Sequence, residues 1–151
     1  MDAADSRKLL QDVLRRERAD TEEAVAGCLA AISRWKSELV DPETAESRAG
    51  DAMEAARSRQ YGAYQEALRS YNALDFDDLI FQPVRLLRSS ESVRESWRGR
   101  IRYLLGDEYQ DTNLAQYELM RLIVGDRGCS VYDHRPWACR KTRSPGPRIP
   151  S

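Results

Sequence analysis

From Leu9 to Trp97 the apolar residues of this chain recur every three to four positions, and one later run, Ile101–Leu105, has the length and texture of a strand. Spacing near 3.6 marks helices that bury one face. Leu9, Leu10, Val13 and Leu14 trace a first helix within 5–18. Asp20 or Thr21 can cap a second, with Glu22 and Glu23 in its first turn, where the helix dipole favours acids. Its stripe holds Val25, Cys28, Leu29, Ile32, Trp35 and Leu39, and Asp41-Pro42 punctuates it. From Glu43 to Tyr71 there is no proline, and Met53, Ala56, Tyr61, Tyr64, Leu68 and Tyr71 predict one or two helices with a break at Gly50.

Asp75-Phe76-Asp77-Asp78 reads as a helix start, a capping aspartate followed by two acids in the first turn. Leu79, Ile80, Phe81, Val84, Leu86 and Leu87 follow, and Pro83 within the run predicts a kink or a split. Ser89 and Ser90 cap a short helix that carries Val93 and Trp97 toward a core. The expected core therefore includes Val25, Leu29, Ile32, Trp35, Tyr64, Leu68, Leu79 and Trp97. Asn113 starts a last helix, with Leu114, Tyr117, Leu119, Met120 and Ile123, that ends near Gly125. A lone strand at 101–105 cannot form a sheet, so part of a sheet is expected to be missing.

At 151 residues the chain has room for one modest domain. No run approaches the roughly 20 apolar residues a membrane crossing needs, and the first ten residues do not read as a signal peptide. The three cysteines, Cys28, Cys129 and Cys139, are too few for a disulfide framework, which points to a reducing cytoplasm. Charge divides the chain. Residues 1–126 carry 18 basic and 24 acidic residues, a balance of −6, whereas 127–151 carry 6 basic residues and 1 acid, with four of the six prolines. The tail, ending RKTRSPGPRIPS, is expected to be disordered. Cys129, His134 and Cys139 form C-x4-H-x4-C, one ligand short and without a zinc spacing.

The informative segment is IRYLLGDEYQDTN, Ile101 to Asn113. An apolar strand running into Asp-Glu is how a nucleotide hydrolase presents a metal-binding acid and a base for water. Taken alone, a DE pair after four apolar residues is common on surfaces. The full string DEYQDTN resembles the second helicase motif of the UvrD/Rep type of superfamily 1 DNA helicases. Asn72-Ala-Leu-Asp-Phe-Asp-Asp-Leu79 resembles the same family's NxLDFDDL segment, at the family's spacing of about thirty residues before the acids. WRGRIRYLL before the acids and QYELMRLIVG after them are similar to the Rep branch. Residues 20–72, with ISRWKSEL and paired tyrosines, are similar to the helical insertion, subdomain 1B; the resemblance covers roughly 5–126.

The resemblance implies a mainly α fold: a helical insertion subdomain, then one strand and one helix excised from a P-loop α/β (RecA-like) core. The expected division is a 1B-like unit at 1–100, a strand–acidic motif–helix fragment at 101–126, and a divergent tail at 127–151. It implies that Asp107 coordinates Mg²⁺, that Glu108 is the catalytic base, and that Gln110 sits near the γ-phosphate of ATP and couples hydrolysis to motion. Asp111 and Thr112 would hold the loop. Asp75, Phe76, Asp77 and Asp78 would join the helical insertion to the motor core, with capping and packing favoured over DNA contact. Trp35, Tyr61, Tyr64 and Trp97 could stack on bases, but aromatics at helical spacing are more often core.

Two departures from the family pattern matter. No G-x-x-x-x-G-K-[ST] occurs; the only lysines are Lys8, Lys36 and Lys141, and none follows glycine. Where the family continues with a strand and GDDDQSIY-WRGA, this chain reads GDRGCSVYDHRPWACRK, a faint echo, and Gly106 replaces an aliphatic residue before the acids. The expectation is a fragment of an ATP-dependent 3′–5′ DNA helicase of replication or repair. Its partners would be single-stranded and duplex DNA and the remainder of the helicase polypeptide, with no membrane, and it would be inactive alone. The alternatives are a non-catalytic helical module that binds DNA or protein, a fragment of a recombination helicase–nuclease, and a degraded product that hardly folds.

Overall fold

Among the described residues, six of seven helices begin where a side chain accepts a hydrogen bond from an otherwise unpaired N–H. In the computed structural model, which describes residues 1–101, 103–106, 112–125 and 129–132, α1 spans Ala3–Arg15 under Asp2. α2 (Glu22–Ser37) starts under Thr21, and α3 (Pro42–Ser47) under Asp41, with Pro42 in its first turn. α4 (Ala52–Ser70) starts under Asp51 and α6 (Glu91–Arg100) under Ser90. α7 (Leu114–Val124) opens with a capping box of Asn113 and Gln116. The exception is α5 (Asp78–Ser89), where the neighbouring Asp77 makes no side-chain cap. Asp75 does that work from further back, its Oδ1 accepting from Asp78 N at 2.8 Å. The break expected at Gly50 falls between α3 and α4.

Two apolar clusters form. The larger joins α1, α2 and α4 through Leu10, Leu14, Val25, Cys28, Ile32, Trp35, Tyr61, Tyr64 and Leu68. Trp35 and Tyr61 stack within it, ring centroids 5.8 Å apart. The smaller joins α5 and α7 through Val84, Leu87 and Leu122, with Leu39, Ile80, Val93, Leu119 and Ile123 packed around them. Leu39 follows α2 in the left-handed region, at φ 59°, a conformation costly for a bulky side chain.

Between the clusters lies a buried ionic group. Lys36 of α2 has a fully enclosed side chain whose Nζ stands 2.7 Å from Asp75 Oδ2 and 3.0 Å from Asp78 Oδ1. The Tyr64 hydroxyl donates to Asp75 Oδ2 at 3.0 Å. Burial holds that hydroxyl well above the ordinary tyrosine range, so it stays a donor.

After α6 the chain forms β1 (Tyr103–Gly106), crosses through α7 and returns as β2 (Cys129–Tyr132). The strands pair in parallel, Tyr103 opposite Cys129 and Gly106 opposite Tyr132. This corrects the expectation of a lone strand, and of disorder from 127 onward, for the four residues of β2. Part of the expected core is not buried. Leu79 is 54% and Trp97 46% exposed, and Leu29 is only partly buried, whereas Val25, Ile32, Trp35, Tyr64 and Leu68 are buried as expected. Met53 and Tyr71, at the ends of the α4 stripe, are also exposed. Pro83 does not split α5; the residue four positions earlier is the exposed Leu79, whose carbonyl can turn to water.

The contrast between buried and exposed leucines is measurable. Leu68→Ala is expected to lower unfolding stability by about 2–5 kcal/mol, and Leu79→Ala by no more than about 0.5 kcal/mol. Urea unfolding followed by circular dichroism checks both.

Candidate functional site

The acidic segment occupies a defined place in the chain. β1 ends at Gly106, directly before Asp107, and the α7 cap, Asn113, follows Thr112. Parallel sheets with a helical crossover place ligands at the carboxyl ends of their strands. Residues 107–111 lie in sequence between the end of β1 and the cap of α7. Asp107, Glu108, Gln110 and Asp111 themselves lie outside the described residues, as do His134 and Cys139. Gly106 remains within the strand, so the glycine does not end the pairing early.

The helix that follows that segment in sequence, α7, is described in detail. α7 is held on α5 by Glu118, whose side chain is 8% exposed. Arg88 of α5 donates from Nε and Nη2 to Glu118 Oε1 at 3.1 and 3.0 Å. Arg121 donates from Nε to Oε2 and from Nη2 to Oε1, both at 2.7 Å. The Arg121 hydrogen bonds, reinforced by Arg88, hold the Glu118 carboxyl below its usual range against the opposing effect of burial. The far end of α7 is fixed by Arg98 of α6, whose Nε donates to the Leu122 carbonyl at 2.9 Å. Gly125 closes the helix at φ 59°, and a Cβ there would stand 2.7 Å from Arg98 Nε. Sequence reading missed this clamp. The i,i+3 pair Glu118–Arg121 was visible in principle, but nothing local links Arg88, 30 positions away, to Glu118.

The residues considered for base stacking divide. Trp35, Tyr61 and Tyr64 are core. Trp97 is half exposed under the Arg100 guanidinium, 5.8 Å from the ring centroid. Asp75 and Asp78 are buried, which supports capping and packing, while Phe76 is 81% exposed. Cys28 is enclosed, and burial pushes its thiol up to about 11, so it is no nucleophile. Among the described residues no group of three His, Cys, Asp or Glu side chains is placed to hold a metal ion, and no described helix is long and apolar enough to cross a membrane.

The described elements are thus a set of six helices followed by β1, α7 and a parallel β2. A model of the UvrD/REP helicase N-terminal domain matches residues 1–134, and the chain belongs to that family. Its sequence is 41% identical to the ATP-dependent DNA helicase Rep of Escherichia coli K12 over 126 residues, 83% of this chain and 19% of that protein. It is 42% identical to the ATP-dependent DNA helicase UvrD1 of Mycobacterium leprae over 139 residues, 89% of this chain and 18% of the relative. It is 35% identical to the ATP-dependent DNA helicase PcrA of Staphylococcus epidermidis over 145 residues, again 89% of this chain and 20% of the relative. The chain thus spans about a fifth of the length of the curated relatives it matches.

The Glu118 clamp carries a pH signature. A depressed carboxyl contributes stability that is complete above its ordinary value of 4.5 and is lost as pH falls through the lowered one. Glu118→Gln removes this contribution. The gap in melting temperature between wild type and variant is expected to be constant near neutrality and to close as the pH drops below 4.5. Thermal melts across an acid series check it.

Proposed function

We propose that this chain is part of an ATP-dependent DNA helicase that moves 3′ to 5′ along single-stranded DNA and unwinds duplex in the cytoplasm. The observation that carries the reading is the position of DEYQDTN, immediately after the carboxyl end of a strand paired in parallel across α7. Asp107 and Glu108 supply hard carboxylate oxygens, the donor type that suits Mg²⁺. Asp107 would hold the ion, which when bound offsets negative charge on the ATP phosphates. Glu108 would accept a proton from the water that attacks the γ-phosphate. Gln110 would meet the γ-phosphate, and Asp111 and Thr112 would fix the loop against α7.

One sequence fact favours a second reading for the chain acting alone, that of a non-catalytic helical module. It contains no G-x-x-x-x-G-K-[ST] to cradle the β- and γ-phosphates. Removing a single well-placed electrostatic contact typically costs about 10² to 10³ in rate, and here a whole set is lacking. The expected result is no ATP hydrolysis above background in a phosphate-release assay with single-stranded DNA present. Turnover that disappears in Glu108→Gln would show that the chain builds a complete nucleotide site and would overturn this.

DNA binding by the chain should rest on phosphate contacts. Trp35, Tyr61 and Tyr64 are enclosed, and residues 1–126 carry a balance of −6. Affinity measured by fluorescence anisotropy should fall steeply with salt and show no sequence preference. Tight binding that survives high salt would point instead to stacking on exposed rings such as Phe76 and Tyr71.

A further inference from the structure

The two apolar clusters share no buried residue. α1, α2 and α4 pack as one body, while α5 and α7 pack as another that ends in the acidic segment's supporting helix. Where the bodies meet, the partly buried Leu39 packs against the second cluster, and beside it lies a buried polar and charged group. Lys36 comes from α2; Asp75 and Asp78 come from the start of α5. Tyr64 and Gln65 of α4 reach the same carboxylates, Tyr64 to Asp75 at 3.0 Å and Gln65 Nε2 to Asp78 Oδ1 at 3.4 Å. Gln82 of α5 adds a donor to Asp78 Oδ1 at 3.3 Å. The Lys36 ammonium also lies 6.0 and 5.6 Å from the Tyr61 and Tyr64 ring centroids. Asp78 Oδ2 is buried and accepts no hydrogen bond among the described residues.

This is a poor way to gain stability. One ammonium faces two carboxylates, and one carboxylate oxygen is left without a donor. An apolar filling of the same volume often does as well or better. What such a group does provide is direction, because charge pairs tolerate one arrangement and oil tolerates many.

We propose that Lys36, with Asp75 and Asp78, is the latch that makes the two helical bodies open and move as one unit. Lys36 is then a positioning residue. It fixes α5 on α2, α5 holds Glu118 of α7 through Arg88, and α7 follows the acidic segment. That the latch would steady the acidic segment during hydrolysis rests on the function proposed above; the latch itself does not.

Native-state hydrogen exchange on the full chain, read by peptide mass, tests the latch without nucleotide or DNA. A failure here therefore leaves the helicase reading untouched, and a failure of that reading leaves this result standing. In the wild type, peptides of α2 and α4 and peptides of α5 and α7 are expected to open together. In Lys36→Met the α5 and α7 peptides should exchange at least tenfold faster than those of α2 and α4. That variant leaves two buried carboxylates unpaired and can fail to fold, so the triple variant K36M/D75N/D78N decides the matter. With no charge stranded, its α2 and α4 peptides should return to within twofold of wild type while α5 and α7 stay fast. Equal protection across all four helices in the triple variant would overturn the proposal, whether raised, lowered or unchanged.

Discussion

An enclosed lysine between two aspartates organises this chain. Taking three charged groups out of water is costly, and the attraction among them recovers that cost only if their geometry is held. The fold holds it from three sides. Lys36 is carried near the end of α2, where the helix is packed by Ile32 and Trp35. Tyr64 and Gln65 approach from α4, and Asp75 and Asp78 arrive at the turn that starts α5. The same aspartate that accepts from Lys36 through Oδ2 caps α5 through Oδ1. A capping side chain and an ion-pair partner are one residue, so the start of α5 cannot slide without breaking both.

The helices were legible in the sequence because their starts are local chemistry. Thr21, Asp41, Asp51, Ser90 and Asn113 each accept from the N–H three positions on. Nothing distant is needed to see this. The first core was legible for a similar reason, since α2 and α4 each bury one stripe against a neighbour in this chain. α5 behaves differently. Ile80, Phe81, Val84 and Leu87 face inward, but Phe76, Leu79 and Leu86 are apolar and exposed. Periodicity reports that a face is apolar, not whether this chain covers it. Leu79 was misplaced on that account, and Trp97 likewise, on a helix with no fully buried residue.

The sheet was half legible. Ile101–Leu105 reads as a strand because it is apolar and bounded by Gly106 and the acids. Cys129–Tyr132 does not, because CSVY is short and sits in a basic, proline-rich context. Its partner is 26 positions away, and parallel pairing across a helix leaves no turn signal between strands. The long-range polar contacts were illegible for the same reason. Lys36 and Asp75 are 39 residues apart, and Arg88 and Glu118 are 30 apart. A lysine in an amphipathic helix looks like a solvated charge until the carboxylates that enclose it are placed.

Family membership does not by itself confer catalytic competence, for a physical reason. An acidic strand end supplies a cation site and a proton acceptor, and both can be carried by a short segment set on a rigid support. Stabilising the charge that develops on a transferring phosphoryl group needs more, namely donors arranged around the phosphates before the reaction begins. Those donors come from a different part of the fold than the acids they work with. The support described here, α7 clamped by Arg88 through Glu118 and by Arg98 at its C-terminus, bears under the proposed function on the first requirement. A chain can therefore share about two fifths of its residues with helicase relatives across this region, and keep the letters of an acidic motif, without those letters alone supplying every donor that phosphoryl transfer needs.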